Sequence, residues 1–185
     1  SMNFLGTHDT PRIMTVLGAS RVPESKDARA AYRLSPAERT RGMALVKLAA
    51  LILFSFPGSP TVYYGDELGL EGFEDPLNRG TYPWGLGRYP LLSWFQMLGH
   101  LRRERAALQR GEIDYLYTSG PILAFARRLP EERIVTVVNA SDKSVPLMLP
   151  WTAPVVRDLL TGRKLHPRDG TLFLTLPPYG GLLLI

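Results

Sequence analysis

The sequence has 185 residues, a formal net charge of +5 and no cysteine. Its hydrophobic content of 45% and charged content of 21% are those of a globular chain with a buried core, which excludes wholesale disorder and fibrous repeats. The length falls short of the roughly 250 residues of a complete α/β barrel. No disulfide framework or thiolate metal site can form, and the basic residues are interleaved with acids over 21–41 and 102–110, so no nucleic-acid partner is expected.

In chain order, Asn3 to Leu5 reads as a short strand running into the polar turn Gly6-Thr7-His8-Asp9. Thr10-Pro11 has the form of an N-cap followed by proline at the first helical position, and the short helix so started should end at Gly18. Residues 18–34 are polar and irregular and predict a loop. Ser35-Pro36-Ala37-Glu38 carries a capping box, with Ser35 as cap and Glu38 closing it. That helix should run to Ser55 or Phe56, where Pro57-Gly58 stops it. Beyond Met43 it is apolar almost all round, which predicts burial. The apolar run is interrupted by Lys47 and is shorter than the roughly 20 residues of a membrane span, so no membrane partner is expected.

Thr61 to Tyr64 is β-branched and aromatic and predicts a short buried strand. Gly65 to Gly87 is a long loop rich in Gly, Pro, Asp and Asn, and a loop of that length is usually functional. Leu91 to Leu108 has helical apolar spacing, with Arg102, Arg103 and Arg105 toward solvent. From Gly111 the style changes to seven short apolar or alternating runs: 113–117, 122–128, 134–139, 145–149, 155–159, 172–176 and 181–185. Turn residues separate them, which predicts an antiparallel β-sandwich. The expected fold class is therefore α/β plus all-β, divided into residues 1–110 and 111–185. Strands alternating with helices in the first part suggest a parallel sheet, yet two strands cannot complete one. Asn139-Ala140-Ser141 matches a glycosylation sequon and is read as a chance match in a turn. The lack of cysteine and of a basic, apolar leader before Asn3 fits a cytoplasmic protein.

Three polar clusters follow predicted strands: Asn3-Phe4-Leu5-Gly6-Thr7-His8-Asp9-Thr10-Pro11-Arg12, Pro57 to Gly69, and Asp75-Pro76-Leu77-Asn78-Arg79 with Tyr82-Pro83-Trp84. On local sequence alone, Asp9 reads as a helix cap and His8 as a hydrogen-bonded structural residue. Asp75 and Arg79 read as a salt bridge that staples a loop. Tyr64 and Trp84 read as core residues, and Asp66 and Glu67 as braces of the strand end.

Together, in this order and spacing, the clusters resemble the α-amylase family of glycoside hydrolases, in its neopullulanase, cyclomaltodextrinase, maltogenic amylase or amylopullulanase branch. The resemblance is strong over residues 3–108. Beyond that it extends to architecture and to Leu176-Pro177-Pro178-Tyr179-Gly180-Gly181. It implies the last two βα units of a (β/α)8 barrel followed by the C-terminal β-sandwich. The activity implied for the parent enzyme is retaining hydrolysis of α-glucosidic bonds in maltodextrins, cyclodextrins, pullulan or starch.

By that resemblance Asp9 is the catalytic carboxylate that grips sugar hydroxyls at the reacting ring, and His8 binds neighbouring hydroxyls. Asp75 and Arg79 match a loop that contacts a glucose further along the cleft, a role set beside that of loop staple. Related enzymes often carry Met or Phe before the Pro-Trp, where this chain has Tyr82. The family's nucleophile and general acid match nothing here. Asp66/Glu67 and Glu74/Asp75 are sequence neighbours and are not expected to flank one bond. The chain alone is accordingly expected to be inactive. Expected partners are an α-glucan or maltooligosaccharide and the remainder of the barrel, with a homodimer left open; neither cofactor nor metal is expected. The competing reading is a non-catalytic carbohydrate-binding β-sandwich with a helical N-terminal extension, which an exposed aromatic platform on residues 111–185 would favour. Trp151, between Pro150 and Thr152, reads as a strand end.

Overall fold

The computed structural model describes residues 1–85 and 89–185. Leu86 and Gly87, the last residues of the predicted long loop, lie outside the described residues. The chain has an α/β part followed by an antiparallel β part, the expected class. It divides into two compact units, one of Ser1–Leu53 with Ser59–Gln96 and one of Phe54–Gly58 with Met97–Ile185.

In the first unit, β1 (Met2–Phe4) pairs in parallel with β2 (Ser59–Thr61), Met2 opposite Ser59 and Phe4 opposite Thr61. Parallel neighbours need a long crossover, which contains α1 (Ile13–Gly18), α2 (Lys26–Ala31) and α3 (Pro36–Ser55). The capping box forms as expected. Ser35 N–H and Oγ donate to Glu38 Oε2 at 2.9 and 2.8 Å, and Glu38 N–H donates to Ser35 Oγ at 3.3 Å. The other oxygen of Glu38 accepts from Ser20 Oγ, Ser20 N–H and Tyr32 Oη at 2.5, 2.7 and 2.6 Å. These donors, the Ser20 hydroxyl first, hold the Glu38 carboxyl well below the usual carboxylate range. One side chain thus ties both the 20–32 segment and the helix start.

Four local expectations need correction. The cap expected at Thr10 does not form: α1 starts at Ile13 behind Arg12, and Thr10 Oγ1 instead accepts from Thr7 N–H at 2.9 Å to close the polar turn. Residues 18–34 are not wholly loop, because Ser25 caps α2 through Ala28 N–H at 3.1 Å. The strand expected at Thr61–Tyr64 lies two residues earlier and is not buried; Tyr63 and Tyr64 leave the ladder and turn their rings onto Arg12. The helix expected over 91–108 is two helices, α4 (Pro90–Glu104) and α5 (Ala106–Arg110), broken at the extended Arg105.

The crossing of α1 on α3 is set by glycine. A Cβ on Gly42 would lie 3.0 Å from Gly18 Cα and 3.1 Å from Met14 Cε. Met14 is fully buried there. Large side chains at this crossing would push the helices apart.

The second unit carries a four-stranded antiparallel sheet in the order β10 (Gly181–Leu184), β5 (Glu132–Asn139), β4 (Ile122–Leu129), β3 (Glu112–Ser119). Two ribbons complete it, β6 (Val145–Pro150) with β9 (Thr171–Leu176) and β7 (Val156–Arg157) with β8 (Lys164–Leu165). Strand alternation sends Leu147, Leu149, Leu172, Leu174 and Leu176 inward against Ala124, Ala126, Val135 and Val137 of the larger sheet. β4 and β5 are buried on their other face too, where Phe125 meets Phe56 edge-on at 5.6 Å. There Arg127 donates to the carbonyls of Ser55 and Gly111, and burial draws its guanidinium down to about 10. Trp151 is buried directly after β6 under Arg133, 5.1 Å from its ring centre, as a strand-end residue.

Candidate functional site

The site residues of the first unit sit on two loops that follow β1 and β2. The polar ends of parallel strands are where such folds gather chemistry. After β1 the chain makes the Thr7–Thr10 turn, with Asp9 N–H donating to Thr7 Oγ1 at 3.1 Å. His8 and Asp9 stand out from this turn, 61% and 73% exposed, with His8 Nε2 3.3 Å from Asp9 Oδ2. Asp9 caps no helix. After β2 the chain turns at Gly65 (φ 88°) through a short 3₁₀ turn, Asp66–Leu68, and then runs to the 75–79 segment. There Arg79 Nε meets Asp75 Oδ1 at 2.6 Å, and both side chains are about half exposed.

Asn78 joins the two loops. It is fully buried, and its Nδ2 donates to the carbonyls of His8 (2.7 Å) and Thr10 (2.8 Å), on either side of Asp9. Its own carbonyl accepts from Arg12 Nε at 2.7 Å. Arg12, 1% exposed, also donates to the Tyr64 carbonyl and lies 3.2 Å from Asp66 Oδ1. Its guanidinium stands 4.2 Å from the Tyr63 ring centre and 4.7 Å from that of Tyr64. Burial pushes the Asp66 carboxyl up to about 6, against the downward pull of Arg12. Asp66 therefore braces the strand end through Arg12, the expected role. Among the described residues, two atoms of this buried node, Arg12 Nη2 and Asn78 Oδ1, have no hydrogen-bond partner.

The structure thus brings His8–Asp9 and Asp75–Arg79 onto loops tied at one buried residue. Sequence reading missed the tie. Its only trace is a lone arginine among apolar residues at Pro11-Arg12-Ile13 and an Asn inside a polar turn. Trp84, read as core, is 81% exposed, with its ring centre 4.5 Å from that of Tyr82. Tyr64 is 40% exposed and donates from Oη to the Gly80 carbonyl. Chemically, the His8–Asp9 and Asp75–Arg79 contacts offer carboxylate acceptors, the further donors of Arg79 and an imidazole to a polyhydroxylated ligand. Among the described residues no group of three or more His, Asp or Glu is placed to hold a metal, and no helix is long and apolar enough to cross a membrane.

The chain belongs to the α-amylase family, a family of glycoside hydrolases. The model of the α-amylase catalytic domain matches residues 1–94, and that of the maltogenic amylase C-terminal domain matches residues 115–183. The chain is similar to an amylopullulanase of Thermoanaerobacter thermohydrosulfuricus, 33% identical over 203 residues that cover 100% of this chain and 13% of that protein. A cyclomaltodextrinase of Geobacillus thermopakistaniensis is 32% identical, with 99% of this chain and 28% of that protein covered. The solved structure of an Anoxybacillus α-amylase superposes with a TM-score of 0.81 at 26% identity, covering 99% of this chain and 37% of that one. The chain spans between 10% and 28% of the length of the curated relatives it matches.

Proposed function

We propose that this chain is the C-terminal part of a retaining α-glucan hydrolase that cleaves α-glucosidic bonds in maltodextrins, cyclodextrins, pullulan or starch. On this reading residues 1–110 belong to its barrel and 111–185 form the closing sandwich. The observation that carries it is the tie at Asn78, which holds the exposed His8–Asp9 turn against the loop bearing Asp75 and Arg79. A residue needed only as a cap would have its carboxylate turned to backbone N–H groups. Asp9 instead presents its carboxylate outward.

In this role Asp9 accepts hydrogen bonds from adjacent hydroxyls of the reacting ring. Those bonds strengthen as the ring flattens toward the oxocarbenium ion, so the carboxylate stabilises the transition state more than the ground state. His8 contributes a further ring nitrogen to neighbouring hydroxyls. Arg79, oriented by Asp75, offers its remaining N–H groups to a glucose further along the cleft.

Retaining hydrolysis also needs a nucleophile and a general acid about 5–5.5 Å apart, and this reading assigns both to parts of the parent enzyme outside residues 1–185. The chain alone is then inactive. Maltodextrin or pullulan incubated with the purified 185-residue protein should release no reducing sugar above the buffer rate, and steady turnover would overturn the assignment.

A further inference from the structure

We propose that the outward face of the β6–β9 ribbon is an α-glucan-binding site, with Phe173 as its platform and His166, Arg168 and Asp169 as its polar rim. Along β9 the residues Leu172, Leu174 and Leu176 point into the core, which leaves Phe173 pointing outward and 60% exposed. Its directly paired neighbour on β6 is Met148, 65% exposed. Outward positions of such a ribbon ordinarily carry polar residues. Here two large, exposed apolar side chains sit side by side across the ladder.

Phe173 also borders an open surface depression of about 520 Å³ whose other lining residues are His166, Arg168 and Asp169. The rim is held by a tight hairpin. Arg168 and Thr171 exchange both backbone hydrogen bonds at 2.9 Å, and Asp169 (φ 48°) and Gly170 (φ 72°) take the left-handed conformations of a two-residue turn.

The mixture of groups selects the ligand class. A flat aromatic ring accepts the C–H face of a pyranose. The Arg168 fork donates, and Asp169 accepts, to the hydroxyls around its edge. A simple anion would meet the Asp169 carboxylate, and a wholly apolar partner would strip water from the rim charges without pairing them. Because the family acts on glucans, the sugar is an α-glucan. The inference rests on the reading given under Proposed function, but it concerns the sandwich of the second unit, whereas His8 and Asp9 belong to the first.

The test is retardation of the 185-residue chain in native gels containing soluble starch, with maltohexaose as competitor. The chain should be retarded, and maltohexaose should release it. Phe173→Ala should weaken retention about tenfold, Arg168→Ala should weaken it less, and Phe173→Trp should restore it. Phe173 is exposed, so these variants should keep the circular dichroism of the parent chain. Absence of retardation, or retention undiminished in Phe173→Ala, would overturn the proposal. Failure here is distinguishable from failure of the hydrolase reading, which is decided by turnover in Asp9 variants of the parent enzyme.

Discussion

Replacing Asn78 by alanine tests how the candidate site is held. The side chain is fully buried and supplies two donors, to the His8 carbonyl at 2.7 Å and the Thr10 carbonyl at 2.8 Å. Alanine removes both donors, while the bond from Arg12 Nε to the backbone carbonyl of residue 78 survives. Each stranded acceptor costs about 1–3 kcal/mol. His8 and Thr10 are exposed residues, so water recovers part of that loss, and the lower half of the range applies. The expected destabilisation is therefore about 2–4 kcal/mol, read as a shift in the urea unfolding midpoint followed by tryptophan fluorescence. Asn78→Asp should cost more at pH 7 than at pH 4, because an ionised carboxylate would face two carbonyl oxygens with no proton to give. A shift of less than about 0.5 kcal/mol in Asn78→Ala, the size of an ordinary surface substitution, would refute the tie.

Two further substitutions probe the frame around it. Gly42→Val sets a branched side chain against Gly18 Cα, only 3.0 Å from the position of its Cβ, and should cost about 1–3 kcal/mol by overpacking; unchanged thermal stability would contradict the close crossing. Asp66 has its carboxyl raised from 3.8 to about 6 in the fold, so the native state binds the proton more tightly than the unfolded chain. Stability should then fall as pH rises from about 4 through about 6, by on the order of 3 kcal/mol, and level off above. Asp66→Asn should flatten that slope in urea unfolding measured across this range, and an identical slope in the variant would exclude Asp66 as its source.

What the sequence disclosed followed the range of the interactions. The start of α3 was readable because its capping box is closed by residues three apart, Ser35 and Glu38. The sandwich strands were readable because alternation, as in Leu172, Leu174 and Leu176, is written directly into one-sided burial. The helix α2 was not, since it buries none of its residues and so leaves no apolar period. Tyr63 and Tyr64 look like strand residues by composition, but a charge 51 and 52 residues away in sequence, on Arg12, claims their rings. The candidate site divides in the same way. His8, Asp9, Asp75 and Arg79 stood out as polar residues after strands. The Asn78 node bridges nearly 70 positions, a separation to which no local pattern responds. The exposure of Trp84 was equally invisible, because an aromatic residue between Pro83 and Gly85 has the same local sequence whether covered or bare.

The central claim is that Asp9 presents its carboxylate to the reacting sugar rather than to its own backbone. Its most direct test is kcat of the parent enzyme on maltodextrin with Asp9→Asn, alongside circular dichroism of the same preparation. Loss of a charged acceptor at the transition state should lower kcat by about 10²–10³-fold with the fold intact. A rate near that of the unmodified enzyme would return Asp9 to a structural role.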